Sequence, residues 1–200
     1  MANEVSLVKG DGLVTEEAQL TERSEQILDA AEVVLQAEGV SALTMRRLAA
    51  ELGIQAPSLY KHVRSKEEIV TGLQARALRD QAAAFRGLAD LSSLASAYRK
   101  WALAHPHLYE LLSRHPLDRD RLPQGLEASA AAPLLAAAGQ DVDRARALWA
   151  LAHGMVDLEL AGRFPPDADL DAAWAAAVRG FTSGERMHVR ARSGRGGTAG

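Results

Sequence analysis

Cysteine is missing from all 200 residues. Its absence removes disulfides, thiolate metal sites and a cysteine nucleophile together, and it fits a reducing cytoplasm. Long apolar runs are missing too. The longest Ala/Leu-rich stretch, residues 128–138, is broken by Pro133, and it falls well short of the ~20 apolar residues that span a bilayer, so no membrane segment is expected. The opening MANEVSLVKGDGLVTEEAQL has no apolar run behind a basic stretch and is not expected to be a signal peptide. Neither sign of charge dominates: 23 Lys and Arg face 26 Asp and Glu, net −3. Any nucleic-acid site must therefore draw on local charge. Alternating β-branched runs that would signal strands are absent, as are internal repeats. So are Gly-x-Ser-x-Gly, the P-loop and the dinucleotide fingerprint. Asp157 and Glu159 are two apart on a helical stretch and point in different directions. Among six histidines, His105 and His107 straddle Pro106, His115 precedes Pro116, and no His-x-x-x-His pair occurs. No metal, no cofactor and no enzymatic activity are expected.

What is there is helix. Apolar residues make up 48% of the chain, enough to bury a core, and they recur at helical spacing. Ile27, Ala31, Val34 and Leu35 share a face of a helix over 22–38 that Gly39 ends as a C-terminal cap. A second helix over 45–52 carries Met45, Leu48, Ala49 and Leu52, with Thr44 as its N-cap and Gly53 as its stop. A third runs from near Ala56 to His62, with Pro57 in its first turn, where a missing N–H costs nothing. Ser65-Lys66-Glu67-Glu68 reads as a capping box opening a longer helix with Ile69, Val70, Leu73 and Ala77 inward. Leu91, Leu94, Tyr98, Trp101 and His105 form another stripe, ended by Pro106. A short segment follows over 107–114. Pro123 and Pro133 interrupt residues 117–140, where at least one broken helix is expected. Asp141 or Asp143 caps a helix to about Ala161. After the loop 162–167, Leu170, Ala173, Trp174, Ala177, Val178 and Phe181 form a last apolar stripe. Residues 1–20 lack a period and read as a mobile arm. The tail GERMHVRARSGRGGTAG, with four Arg against one Glu, reads as disordered and basic over 184–200.

The informative stretch is 44–66, TMRRLAAELGIQAPSLYKHVRSK. Two short helices joined by a tight turn with a Gly have the layout of a helix-turn-helix, whose second helix reads the major groove. Within it Arg46, Arg47, Lys61, Arg64 and Lys66 face the single acid Glu51. This makes a positive patch on an otherwise acidic chain. Tyr60, Lys61 and His62 supply a phenol, an ammonium and an imidazole, all donors to phosphate oxygens. Lys66 sits at a helix start, where free N–H groups also favour phosphate.

The same residues resemble the DNA-binding domain of the TetR family of bacterial repressors. The likeness runs through Arg23, Ile27-Leu28-Asp29-Ala30-Ala31, Leu35 and Glu38-Gly39, then Leu43-Thr44-Met45-Arg46-Arg47-Leu48-Ala49 and Gly53-Ile54. It closes with Ser58-Leu59-Tyr60-Lys61-His62-Val63 and Ser65-Lys66-Glu67-Glu68-Ile69. Val63 stands where Phe is usual. Farther on, Trp149-Ala150-Leu151-Ala152-His153-Gly154, with Tyr98-Arg99-Lys100-Trp101-Ala102, His105-Pro106 and Leu108-Tyr109, resembles one C-terminal subtype of these regulators. The resemblance implies an all-α fold: a three-helix DNA-binding domain over 21–66 and a larger ligand-binding and dimerisation domain over 67–183. It further implies an Ω-shaped homodimer joined through helices 141–161 and 168–182; the Trp174 stripe suits that interface, and it reads as well as ordinary helix burial. Two-fold symmetry would space the reading helices ~34–36 Å apart and favour a palindromic operator in double-stranded DNA.

Gln55, Ala56, Pro57 and Ser58 lead the reading helix. Gln55 suits an adenine edge, and Ala56 and Pro57 suit a thymine methyl. Thr44, Arg46, Tyr60, Lys61, His62 and Lys66 would hold phosphates, with guanine a second target for Lys61. Trp101, His105, Tyr109, Trp149 and His153 are the candidate effector contacts; their apolar surfaces with polar tips suit an apolar or aromatic small molecule. Side chains such as Trp101, Tyr109 and His153 are more often core than ligand contacts. Three functions compete: a repressor released by a small-molecule effector, a regulator of the same fold without one, and an all-α enzyme or carrier that merely contains the helix pair.

Overall fold

The computed structural model describes the backbone of residues 11–193 and the side chains of residues 22–181. Among the described residues there is no strand. The helices are α1 Asp11–Glu38, α2 Met45–Glu51, α3 Ala56–Leu59, α4 Lys66–Ala84, α5 Leu91–Ala104, α6 Pro106–Arg114, α7 Leu126–Ala137, α8 Val142–Leu160 and α9 Leu170–Ser193, with a 3-10 turn at Val40–Ala42.

They fall into two compact units. The first holds the described residues up to Ala77 together with His107–Leu122. The second holds Leu78–Pro106 and the described residues from Pro123 on. This differs from a division at 66/67, and the hydrogen bonds show why. Gln74, fully buried in α4, donates through Nε2 to the carbonyls of Leu111 and Pro116, both at 3.3 Å. Arg76 pairs with Glu25, with Asp29 at 2.8 Å and with Glu32 at 3.4 Å on α1. At Gly72 a Cβ would meet Leu28 Cδ2 at 2.6 Å, so glycine permits a close approach of α1 and α4. Residues 66–77 of α4 and all of α6 past Pro106 thus belong to the N-terminal core. Leu108, Tyr109 and Leu111 are buried there.

In the first unit Ile27, Ala31, Val34 and Leu35 are fully buried on one face of α1. Gly39, at φ +79°, ends the helix. Thr44 caps α2, its Oγ1 accepting from the Arg47 N–H at 3.1 Å. Gly53 takes φ +65° in the turn, a conformation costly for other residues. The third helix is shorter than its sequence span. Beyond Leu59 the chain tightens into turns, with Lys61 N bonded to Ser58 O at 3.3 Å and His62 N to Leu59 O at 3.0 Å. The capping box is half formed: Glu68 N donates to Ser65 Oγ at 3.4 Å, but the Glu68 carboxylate accepts from Arg64 N instead of Ser65 N.

Two expectations at the ends are corrected. Helix α1 starts at Asp11, inside the segment read as an arm, because Leu13 to Glu38 contains no Gly or Pro and is rich in Glu, Gln, Ala and Leu. Helix α9 likewise runs on through the Arg-containing stretch to Ser193. Residues 1–10 and 194–200, the remainder of the arm and tail, lie outside the described residues.

In the second unit α5 packs on α7, α8 and α9. Leu91, Ala138 and Leu148 form a buried cluster covered by Leu134, Ala137, Ala145, Val178 and Phe181. Pro133 sits within α7 without ending it. The carbonyl it leaves without a donor is that of Ser129, an exposed residue where water can serve. Asp90 and Asp141 cap α5 and α8 through the N–H groups of Ser93 and Arg144. The last stripe is used inside the subunit: Trp174 is 7% exposed. Its Nε1 donates to Glu159 at 3.4 Å, and Arg99 lies 6.0 Å from its ring centroid. Arg99 also pairs with Glu159 at 2.7 Å and with Asp171, tying α8 and α9 to α5. Of the two readings open to this stripe, helix burial or a dimer face, Trp174 takes the first; Leu170, Ala173, Ala177, Val178 and Phe181 are half-buried. The faces left exposed are Ala147, Ala150, Gly154 and Leu158 on α8 and Ala172, Ala175, Ala176 and Arg179 on α9.

Candidate nucleic-acid interface and effector groove

The helix-turn-helix is built by α2 and α3, held together by buried Leu43, Leu48, Leu59 and Val63. Gln55 is the N-cap residue of α3, extended and exposed, and its amide makes no capping bond. A side chain that leaves the cap unserved is available to a base edge. Pro57 is exposed beside it, and Ala56 and Ser58 are half-buried. Tyr60, 55% exposed, and Lys61 project from the following turn. Arg46 and Thr44 are exposed, and the Thr44 hydroxyl already accepts from Arg47 N–H, so it retains only its proton for a phosphate. Lys66 is half-buried at the first position of α4. His62 is half-buried, with Nδ1 enclosed and no acceptor or donor for it among the described residues. Any phosphate contact from His62 falls to Nε2.

One basic residue counted in the patch is spent elsewhere. Arg47 donates through Nε and one terminal nitrogen to Glu38 at 2.9 and 2.6 Å, and through the other to Glu51 at 2.8 Å. The two carboxylates hold its guanidinium more firmly protonated than an isolated one, the Glu38 bond contributing most. In return Arg47 draws the Glu38 carboxyl below its ordinary range. The positive rim is therefore Arg46, Lys61, Arg64 and Lys66.

The five candidate effector residues do not come together. Trp101 and His105 do, with rings 5.7 Å apart near the end of α5. They line an open groove of about 770 Å³ with Ala84, Leu88, Ser92, Ser93, Ser96, Ala97, Lys100 and Ala104. Trp149 and His153 make a separate edge-on pair at 4.4 Å, and His153 meets Tyr98 at 5.5 Å. Trp149 is 55% exposed and neither residue lines the groove. Burial pushes the His153 imidazole below its ordinary pKa, with Asp157 partly opposing. Tyr109 is buried in the other unit. The sequence reading missed Ser92, Ser96 and Lys100. Their spacing of four on α5 is a legible signal, since such residues share a helical face.

Residues 27–73 match the family described as bacterial regulatory proteins, tetR family, and residues 91–181 match a tetracyclin repressor-like C-terminal domain. An uncharacterized HTH-type transcriptional regulator of Mycobacterium tuberculosis is 34% identical over 191 residues, covering 88% of this chain and 85% of its own. The chain belongs to the TetR family. It is a DNA-binding transcriptional regulator. A regulatory protein of known crystal structure superposes with a TM-score of 0.66 at 29% identity, over 82% of this chain and 97% of that one. A point variant of the TetR protein of Acinetobacter baumannii AYE, in complex with minocycline, shares the fold with a TM-score of 0.59 at 22% identity, over 80% and 95% of the two chains. No helix among the described residues of this TetR-family chain is long and apolar enough to cross a membrane.

Proposed function

We propose that this TetR-family chain is a repressor that binds a palindromic operator as a homodimer and is released by a small apolar or aromatic effector. The observation that carries the DNA half is Gln55: an exposed amide at the start of α3 that makes no capping bond, in a segment that also carries Arg46, Lys61, Arg64 and Lys66. Gln55 reads a base, Ala56 and Pro57 press on a methyl, and Ser58 stands behind them in the same turn. Thr44, Arg46, Tyr60, Lys61, His62 and Lys66 hold backbone phosphates. The exposed, mostly small-residue faces of α8 and α9 support self-association, because small side chains let helices from two copies approach closely. Two-fold symmetry then sets the half-site spacing at ~34–36 Å. The α5 groove, with Trp101 and His105, is the effector site.

The test is a mobility-shift titration on the DNA upstream of the chain's own gene, with a compound chosen by thermal shift added at saturation. A retarded complex that the compound dissolves supports the reading. A complex that the compound leaves intact favours a regulator of the same fold without an effector. No complex with that DNA, at low salt and with scrambled competitor, removes autoregulated repression.

A further inference from the structure

The α5 groove has a one-sided chemistry. Its polar lining is Ser92, Ser93, Ser96, Lys100, Trp101 and His105; among the described residues no carboxylate lines it. The hydroxyls donate or accept, but the ammonium and the indole N–H only donate. Asp90 lies next in the chain to the first turn of α5, yet it is outside the lining and its carboxylate is engaged by the Ser93 N–H at 2.9 Å. Trp101 is 6% exposed, and its buried Nε1–H has no acceptor among the described residues. The apolar lining is small and aliphatic, Ala84, Leu88, Ala97 and Ala104, beside the two rings.

We infer that the effector is a monoanionic acid: an apolar or aromatic body lying along Ala97, Ala104 and Leu88, with one carboxylate or similar oxyanion held by Lys100 and the groove's donors. This rests on the reading of the groove as the effector site. Charge count sets the ligand's charge. One lysine and one histidine, with no arginine, match a single negative charge, whereas a di- or triphosphate would leave most of its charge unpaired. A cationic ligand would meet Lys100 with no counter-charge in the lining.

Three probes of one shape decide it: 2-naphthoate, 2-naphthamide and 2-naphthylmethylammonium, carrying charges −1, 0 and +1. Each is titrated calorimetrically into the full-length protein and into its Lys100→Glu and Lys100→Gln variants, and each is then added to the operator complex. The expected order is naphthoate at least about tenfold tighter than the amide, with the ammonium weakest. Lys100→Gln should bring naphthoate to the level of the amide, and Lys100→Glu should put the ammonium first. Equal binding of all three, an unchanged order in Lys100→Glu, or no binding by any probe would overturn the inference. Naphthoate preference that follows residue 100 but leaves the operator complex intact supports the anion site and defeats the effector reading. Release of the operator by the ammonium in the unmodified protein would do the reverse.

Discussion

At the scale of single residues, the proposed DNA contacts divide into readers and holders. Gln55→Ala should weaken operator binding about 10–100-fold and relax preference at one base pair per half-site, because a lost bidentate base contact costs about 1–3 kcal/mol. Lys66→Ala should weaken binding to all sequences alike and lower the salt slope by about one unit. Fluorescence anisotropy across operator variants and salt concentrations distinguishes the two. A sequence-dependent loss in Lys66→Ala would move that residue from holder to reader. His153 gives a pH effect. Burial depresses its pKa below the ordinary 6.5. The unfolded chain thus takes up a proton first as pH falls below that value, and stability declines from there until the folded-state pKa is passed. His153→Phe should flatten the fall in Tm between about pH 7.5 and about pH 5.5; an unchanged slope would assign it to other groups. At this scale the sequence speaks clearly where a role is local. Thr44 as a cap and Gly53 as a turn depend on neighbours within a few positions. Arg47 counts toward the positive patch in the sequence because Glu38, nine positions away, reaches it only after α1 and α2 pack.

Helices were legible as stripes, but a stripe does not name what covers it. Leu91, Leu94, Tyr98 and Trp101 are buried as their spacing predicts. The α9 stripe is equally sharp, yet its cover is α5 and α8 of the same chain, fixed by Arg99, Glu159 and Asp171 from three separate segments. Trp174→Glu should accordingly unfold the second unit, since a buried carboxylate would face Glu159. Trp174→Phe should lose only about 1 kcal/mol with the indole bond. Urea melts followed by circular dichroism measure both, and a well-folded Trp174→Glu monomer would return the stripe to the dimer face. Gln74→Met should cost about 1–3 kcal/mol, because the buried Leu111 carbonyl loses its donor, and the more open Pro116 carbonyl with it, while the volume is kept. A melt within error of the unmodified protein would mean that water serves Leu111 and Pro116 instead.

At the scale of the whole molecule, the proposed homodimer would rest on the open faces of α8 and α9. Gly154→Arg with Ala176→Arg adds four like charges to a two-fold interface, and the expected result is a folded monomer that has lost most of its operator affinity. Sedimentation velocity with near-native circular dichroism checks it; a dimer that survives would place the contact elsewhere. The grouping of residues 107–122 with the N-terminal core could not be read from the sequence. It depends on Gln74 bonds that span 37 and 42 positions, and no local pattern encodes a pairing at that distance.

Helix α5 separates anchoring from groove lining by azimuth. Leu91, Leu94, Tyr98 and Arg99 hold its neighbours, while Ser92, Ser96, Lys100 and Ala104, every fourth residue, line the groove. Those four positions can therefore be randomised together without touching an anchor. A library of this kind, selected by growth with a reporter under the operator, offers a route to biosensors for new compounds, with the DNA address unchanged.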